Sequence, residues 1–203
     1  GAGRTGTFLG CEHWNAQPDI VVMSKGIGSG YVPLGAMIAD ERLVDPVLDA
    51  GGFAHGFTYA GNPLACAAGL AVVDEIEAQD LCRNATEMGD KLIARLHGLM
   101  QKHEIIGDVR GKGLLTAFEF MSDRDTKAPL PKGLNAYQRF VDIAYDKGLI
   151  VYSRRTRDGV EGDHILVCPP LIVNDTHLDE IIEGLDASLV QFTDEIHPAL
   201  KVG

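Results

Sequence analysis

No stretch of this chain is apolar for long enough to cross a bilayer, and no charged-then-apolar segment opens it as a secretion signal would. Basic residues are scarce: 18 Lys and Arg against 29 Asp and Glu leave a formal net charge of −11. That balance argues against nucleic acid or an anionic membrane surface as a partner, and it obliges any phosphate site to rely on local donors. Cysteines are few and scattered, at Cys11, Cys66, Cys82 and Cys168, with no C-x-x-C. The scatter offers no structural zinc site and suits reduced thiols, hence an expected cytoplasmic location. Internal repeats and low-complexity tracts are also missing. What is left, 45% hydrophobic over 203 residues, is ordinary globular composition in one domain or two small ones.

Against that background one segment stands out, Met23-Ser24-Lys25-Gly26-Ile27-Gly28-Ser29-Gly30 followed by Pro33-Leu34-Gly35-Ala36. A lysine sits between the apolar run Ile20–Met23 and a turn with glycines at 26, 28 and 30. A strand end fixes the lysine backbone, and the glycines let the following backbone approach a ligand, where exposed N–H groups suit an anion. An amine on a rigid stem beside an anion site is what covalent chemistry with a phosphorylated aldehyde requires. Its ammonium must first lose a proton, and lysine pKa values shift readily on burial.

Three other patterns lead elsewhere and fail. Gly1-Ala2-Gly3-Arg4-Thr5-Gly6 matches G-x-G-x-x-G, with Asp19 near the place of a ribose-binding acid. A dinucleotide site needs a strand before the glycines and a helix after them; no strand precedes, and Gly10, Trp14 and Pro18 make a poor helix. Cys11-Glu12-His13 are adjacent and lack a second cluster to complete a metal's ligands. Ser24 beside Lys25 resembles a Ser–Lys pair, but neighbours on an extended strand point to opposite faces.

The chain divides near residue 104. Asp19–Met23 and Gly35–Ala39 read as strands. Asn62 followed by Pro63 is an N-cap with proline in the first helical turn. The helix it opens, Leu64 to Val73, is apolar almost all round and is expected to be buried. A second helix covers roughly 80–102, with Ala85, Met88, Leu92, Leu96 and Leu99 on one face. Beyond it, Leu114–Met121, Leu149–Tyr152 and His164–Cys168 read as strands and 135–146 as a helix. Arg154, Arg155 and Arg157 fall in a charged loop between the last two strands. A final helix begins near Asn174, with Val173 and Leu178 as a hydrophobic staple and Leu178, Ile181, Ile182, Leu185, Leu189 and Phe192 as its buried face.

Several segments together resemble class III aminotransferases, the pyridoxal-phosphate (PLP) enzymes of fold type I. They are Gly3-Arg4-Thr5-Gly6, Pro18-Asp19-Ile20, Ser24-Lys25-Gly26, Pro33-Leu34-Gly35-Ala36, His55-Gly56-Phe57-Thr58-Tyr59, Gly61-Asn62-Pro63-Leu64-Ala65, Val109-Arg110-Gly111-Lys112-Gly113-Leu114 and Cys168-Pro169-Pro170-Leu171. Their order along nearly the whole chain carries the resemblance. It implies an α/β fold: residues 1–80 as the remainder of a large PLP-binding domain, 81–104 as a connecting long helix, and 105–203 as a small C-terminal α+β domain. The family's Asp-Glu-Val segment, whose aspartate pairs with the pyridine nitrogen, would precede Gly1. The resemblance therefore implies the C-terminal half of an enzyme. The phosphate cup and the ring-stacking aromatic belong to a missing N-terminal half, and the chain alone is expected to be inactive.

The resemblance assigns Lys25 as the Schiff-base lysine and as the acid–base for the proton shift. It assigns Thr58, with Gly56 and Phe57, to the PLP phosphate of the neighbouring subunit, hence a homodimer with shared active sites. The implied substrates are a small-molecule amino donor and a 2-oxo acid such as pyruvate. Members that act on α-amino acids carry an arginine three residues before the Pro-Pro pair; here that position is Leu166. The carboxylate-binding arginine is then sought at Arg154 or Arg155, ahead of Arg157, and the donor is expected to be an ω-amino acid or amine. A solvated basic loop balanced by Asp158, Glu161 and Asp163 is the plainer reading of the same residues. Mutase or decarboxylase relatives share the lysine's context, and a non-catalytic dimerisation or assembly module is the rival from outside the enzymes.

Overall fold

The computed structural model of the chain describes residues 1–156 and 159–200. Arg157 and Asp158 lie outside the described residues. The chain forms two compact units, one of Gly1–Gly3 with Thr7–Cys82, the other of Arg4–Gly6 with Arg83 onward.

In the first unit, strands β1 (Ile20–Ser24) and β2 (Gly35–Ala39) pair antiparallel, Ser24 opposite Gly35 and Val22 opposite Met37. Helix α1 (Glu41–Asp49) follows, its first turn capped by Asp40, whose Oδ1 accepts from the Arg42 N–H at 2.9 Å. Helix α2 (Pro63–Ala78) starts as the sequence predicts: Asn62 Oδ1 accepts from the Ala65 N–H at 3.1 Å and Pro63 takes the first helical position. Its expected burial is corrected. Only Gly69 and Ile76 are buried in α2, while Leu64 and Leu70 stand 73% and 63% exposed. An all-round apolar helix needs neighbours on every side, and this unit supplies them on one. Val22, Met37, Phe53 and Tyr59 add to the apolar surface of the unit.

The second unit is a four-stranded antiparallel sheet in the order β3-β4-β6-β5, formed by β3 (Ile106–Lys112), β4 (Leu115–Phe120), β5 (Tyr152–Thr156) and β6 (Glu161–Val167). Alternation on β4 sends Thr116, Phe118 and Phe120 to the covered face. There Phe118 and Phe120 meet Phe140 of α4 (Ala136–Asp146) and Phe192 of α5 (Asp175–Leu200), with ring centroids 4.9–5.7 Å apart. Mostly edge-to-face geometry suits the ring quadrupoles.

Helix α3 (Leu81–Lys102) buries Ala85, Met88, Leu92, Leu96 and Leu99, the face its periodicity predicts. Asn174 opens α5 with its Oδ1 accepting from the His177 N–H at 3.1 Å, and Val173 and Leu178 are both buried beside it. Charged pairs tie α3 to α5: Lys91–Asp175 at 2.7 Å, Arg95–Asp179 at 2.5 Å and Lys102–Asp186 at 2.5 Å, each pair 84 residues apart. A constant separation means that the two helices run parallel and in step. Arg124 closes the end of α3, donating to the carbonyls of Met100 (2.5 Å) and His103 (2.7 Å).

Several boundaries move, the strand expected at His164–Cys168 among them, which runs Glu161–Val167. The expected strand at Leu149–Tyr152 begins only at Tyr152, because the Leu149 N–H is taken by the Ala144 carbonyl as α4 ends. The expected arginine loop is corrected as well: Arg154 and Arg155 lie within β5, paired with His164 and Asp163 of β6. No helix among the described residues is long and apolar enough to cross a membrane.

Candidate active site

Lys25 follows the last residue of β1 and opens a short 3-10 turn, Lys25–Gly28. Its φ is +52°, in the left-handed region that side chains avoid, so the backbone here is strained by about 1–3 kcal/mol. Surrounding structure must impose that conformation, and two contacts do so. The buried Ala2 methyl lies 3.1 Å from where a Cβ on Gly26 would stand, which pins the 1–3 turn against the residue after the lysine. On the other side, a Cβ on Gly69 of α2 would stand 2.5 Å from Leu34 Cδ2 and 3.6 Å from the Ile27 carbonyl oxygen. The turn is thus held between the N-terminal residues and α2, with Ile27 and Gly28 buried, while Lys25 itself is exposed. The Gly26 carbonyl accepts from the Ser29 N–H at 3.1 Å, and that of Gly28 accepts from the Tyr31 N–H at 2.9 Å.

Gly56, Phe57 and Thr58 lie on the segment between α1 and α2, all exposed, Phe57 by 80%. His55 packs edge-on against the Phe57 ring with centroids 5.2 Å apart. Among the described residues, no hydrogen bond or ion pair occupies the Lys25 ammonium or the Thr58 hydroxyl. An exposed primary amine can condense with an aldehyde and an exposed hydroxyl can donate to a phosphate, so the residue types present fit PLP.

In the second unit, the two arginines of β5 differ sharply. Alternation places them on opposite faces. Arg154 is exposed, its guanidinium carbon 5.4 Å from the Tyr152 ring centroid. The Arg155 side chain is 6% exposed and donates both arms of its fork to Asp163, Nε to Oδ1 at 2.5 Å and Nη2 to Oδ2 at 2.8 Å. Its guanidinium also lies 4.8 Å from the Tyr137 ring centroid of α4. The hydrogen bonds that Arg155 donates to Asp163 hold its pKa above the ordinary arginine value. Leu166 is half-buried in β6 between Ala117 and Tyr152. Just beyond β6, Arg4 donates to the Pro169 carbonyl, and burial lowers its pKa. Burial likewise pushes the Cys168 thiol up, more than the Thr116 carbonyl contact and the Arg4 charge bring it down. Sequence reasoning missed the bracing role of Ala2, and it placed Asp163 as one of three acids balancing a solvated loop where the structure shows a buried fork with Arg155. For the second, the only signal was opposite charges at positions that pair across a turn.

The family model described as Aminotransferase class-III matches residues 1–189. The chain belongs to the class III aminotransferases. It is 40% identical over 193 residues to a taurine–pyruvate aminotransferase from Bilophila wadsworthia, covering 92% of this chain and 41% of that protein. A transaminase structure from a marine Virgibacillus superimposes with a TM-score of 0.92 at 32% identity, covering 97% of this chain and 44% of that one. An amine transaminase from an uncultivated Pseudomonas species, solved with PLP bound, gives 0.84 at 37% identity, covering 94% and 42%. The chain thus spans about two fifths of the length of the curated relatives it matches, and its fold is that of the PLP-dependent transaminases.

Proposed function

We propose that this chain carries the cofactor-binding lysine of a PLP-dependent aminotransferase that moves an amino group from an ω-amino acid or amine to a 2-oxo acid such as pyruvate. The observation that carries the reading is Lys25, an exposed amine on a strained and braced turn at a strand end. Family membership supports it, and the taurine and pyruvate in the name of the Bilophila relative support an amine carrying a distal anion as donor.

In this reading Lys25 would be the residue that holds the cofactor, through its aldehyde, and its Nζ would serve as the base and acid that moves the proton of the substrate carbon. PLP, when bound, supplies the electron sink that makes that carbon acidic. The Thr58 hydroxyl, with Gly56 and Phe57 shaping its segment, donates to the phosphate in the site of a second copy, giving a homodimer with shared sites. Arg154 pairs with the carboxylate of the 2-oxo acid, or with the acid group of an ω-amino acid, and turns aside for an apolar amine. Arg155 is the weaker candidate, because binding a substrate would break its pair with Asp163. The groups that would complete the cofactor's surroundings are expected from the part of its relatives that this chain does not cover. The chain alone therefore holds PLP weakly and does not turn over. The apolar surface of the first unit supports that reading, since it is what a missing half would cover.

Borohydride reduction of the holoenzyme tests the assignment. Reduction should fix PLP to the protein, and peptide mapping should place it on Lys25. Release of free cofactor after reduction, or attachment elsewhere, would overturn it. A chain that dimerises but never takes up PLP in the presence of the remaining sequence would leave an assembly module instead.

A further inference from the structure

Arg155 and Asp163 spend two charges in the interior of the second unit. Their side chains are 6% and 4% exposed, and they face each other directly across β5 and β6. Such a pair is poor value as a source of stability. Desolvation of both ions offsets most of their attraction, and apolar side chains of similar size do as well or better. Geometry gives it another use. The fork engages both carboxylate oxygens, and the Tyr137 ring holds the guanidinium from the α4 side. The pair sits at a register shift: the ladder runs evenly from Tyr152 to Arg155 and breaks between Arg155 and Thr156. An edge strand beside an irregularity is where pairing slips most readily, and a slip of one residue sends every side chain to the other face. A slipped β5 would bury Arg154 and expose Arg155.

We propose that the Arg155–Asp163 pair is a register lock that holds β5 so that Arg154, the next residue on the opposite face, is presented to the anionic end of the substrate. The proposal rests on the Arg154 assignment above. On this proposal Arg155 and Asp163 are positioning residues, and the contact with the substrate's anionic end is made by Arg154. The lock explains why two adjacent arginines have opposite environments. One is held in the fold while the other stays exposed.

The test uses the PLP-loaded holoenzyme. Arg155→Met with Asp163→Leu removes both charges and keeps the volume, and the melting temperature should stay within a few degrees of wild type. KM for the 2-oxo acid should rise about tenfold while that for an apolar amine changes less than about twofold, since only the acid relies on a charge-assisted pair. Equal changes in both, or none, overturn the lock. Arg155→Lys keeps the charge and loses the fork, so it carries the test if the double variant does not fold. It should raise the ratio of the two KM values by a smaller factor, and a wild-type ratio overturns the proposal. Arg154→Ala separates this idea from the one beneath it. No change of keto-acid KM in Arg154→Ala would remove the Arg154 assignment, whereas a change there with none in the double variant would remove the lock alone.

Discussion

The methyl of Ala2 stands 3.1 Å from the point a Cβ on Gly26 would occupy. Ala2 is buried and has a φ of +44°, so two left-handed non-glycine residues, Ala2 and Lys25, flank one close contact. A Cβ on Gly26 would require one side to give by a few tenths of an ångström. Gly26→Ala should therefore move the turn that carries Lys25, costing about 1–2 kcal/mol of stability by overpacking. It should also lower the fraction of subunits with covalently bound PLP. Denaturant melts and the visible absorbance of the bound cofactor measure the two effects. Full cofactor occupancy at wild-type stability would show that the contact is slack.

Lys25 itself pays for function with strain. Replacing it by glycine removes the Cβ that makes φ +52° unfavourable, and only the extra freedom of the unfolded chain works against the gain. Lys25→Gly should abolish transamination while leaving stability unchanged or higher by up to about 1 kcal/mol. Lys25→Ala keeps the strain and should be equally inactive and no more stable than wild type. Residual turnover in either variant would remove Lys25 from its role. A large loss of stability in the glycine variant would mean that its side chain is a structural element.

How much of this was legible in the sequence depends on what decided each feature. The buried faces of α3 and α5 were legible because period and packing agree at Leu92, Leu96, Leu185 and Leu189. The Asn62–Pro63 start of α2 was legible because capping is local chemistry. Strand β3 was not, since Asp108, Arg110 and Gly111 have little strand preference and are held by pairing with β4, while Gly107 stands at a register shift. Helix α1 was hidden by Pro46 in its interior, and β5 by arginines that only Asp163 and Tyr137 make comfortable in a strand. At the candidate site, glycine spacing pointed to Lys25. Its strain and its brace at Ala2 depend on residues more than twenty positions away, which no local pattern encodes.

The seam between α3 and α5 should be sensitive to acid. Hydrogen bonds from Lys102, and then from His103 at 2.6 Å, hold Asp186 below the usual aspartate pKa. A carboxylate depressed in the folded state contributes stability that is fully present above its unfolded pKa of about 3.9 and is lost as pH falls toward the folded value. Urea midpoints of the wild type should therefore fall below about pH 4, and part of that fall should be missing in Asp186→Asn. The variant should be the less stable of the two at neutral pH. An identical pH dependence in both proteins would show that the seam does not rely on this ion.

The assignment of Thr58 to a neighbouring copy has its own consequence. If each site takes Lys25 from one subunit and Thr58 from the other, Lys25→Ala and Thr58→Ala damage different halves of the same site. A heterodimer of the two variants then has one site with both mutations and one with neither. Equal mixing with free subunit exchange makes half of the dimers mixed, so about one quarter of wild-type sites should be restored. The Lys25→Ala homodimer contributes nothing to that figure, and the Thr58→Ala homodimer is measured alone and subtracted. Activity above that background, rising with exchange and absent when exchange is blocked by crosslinking, would support a shared site. With exchange verified by mass, a mixture no more active than its parts would mean that Lys25 and Thr58 serve the same site from one chain, and the shared-site homodimer would fall with it.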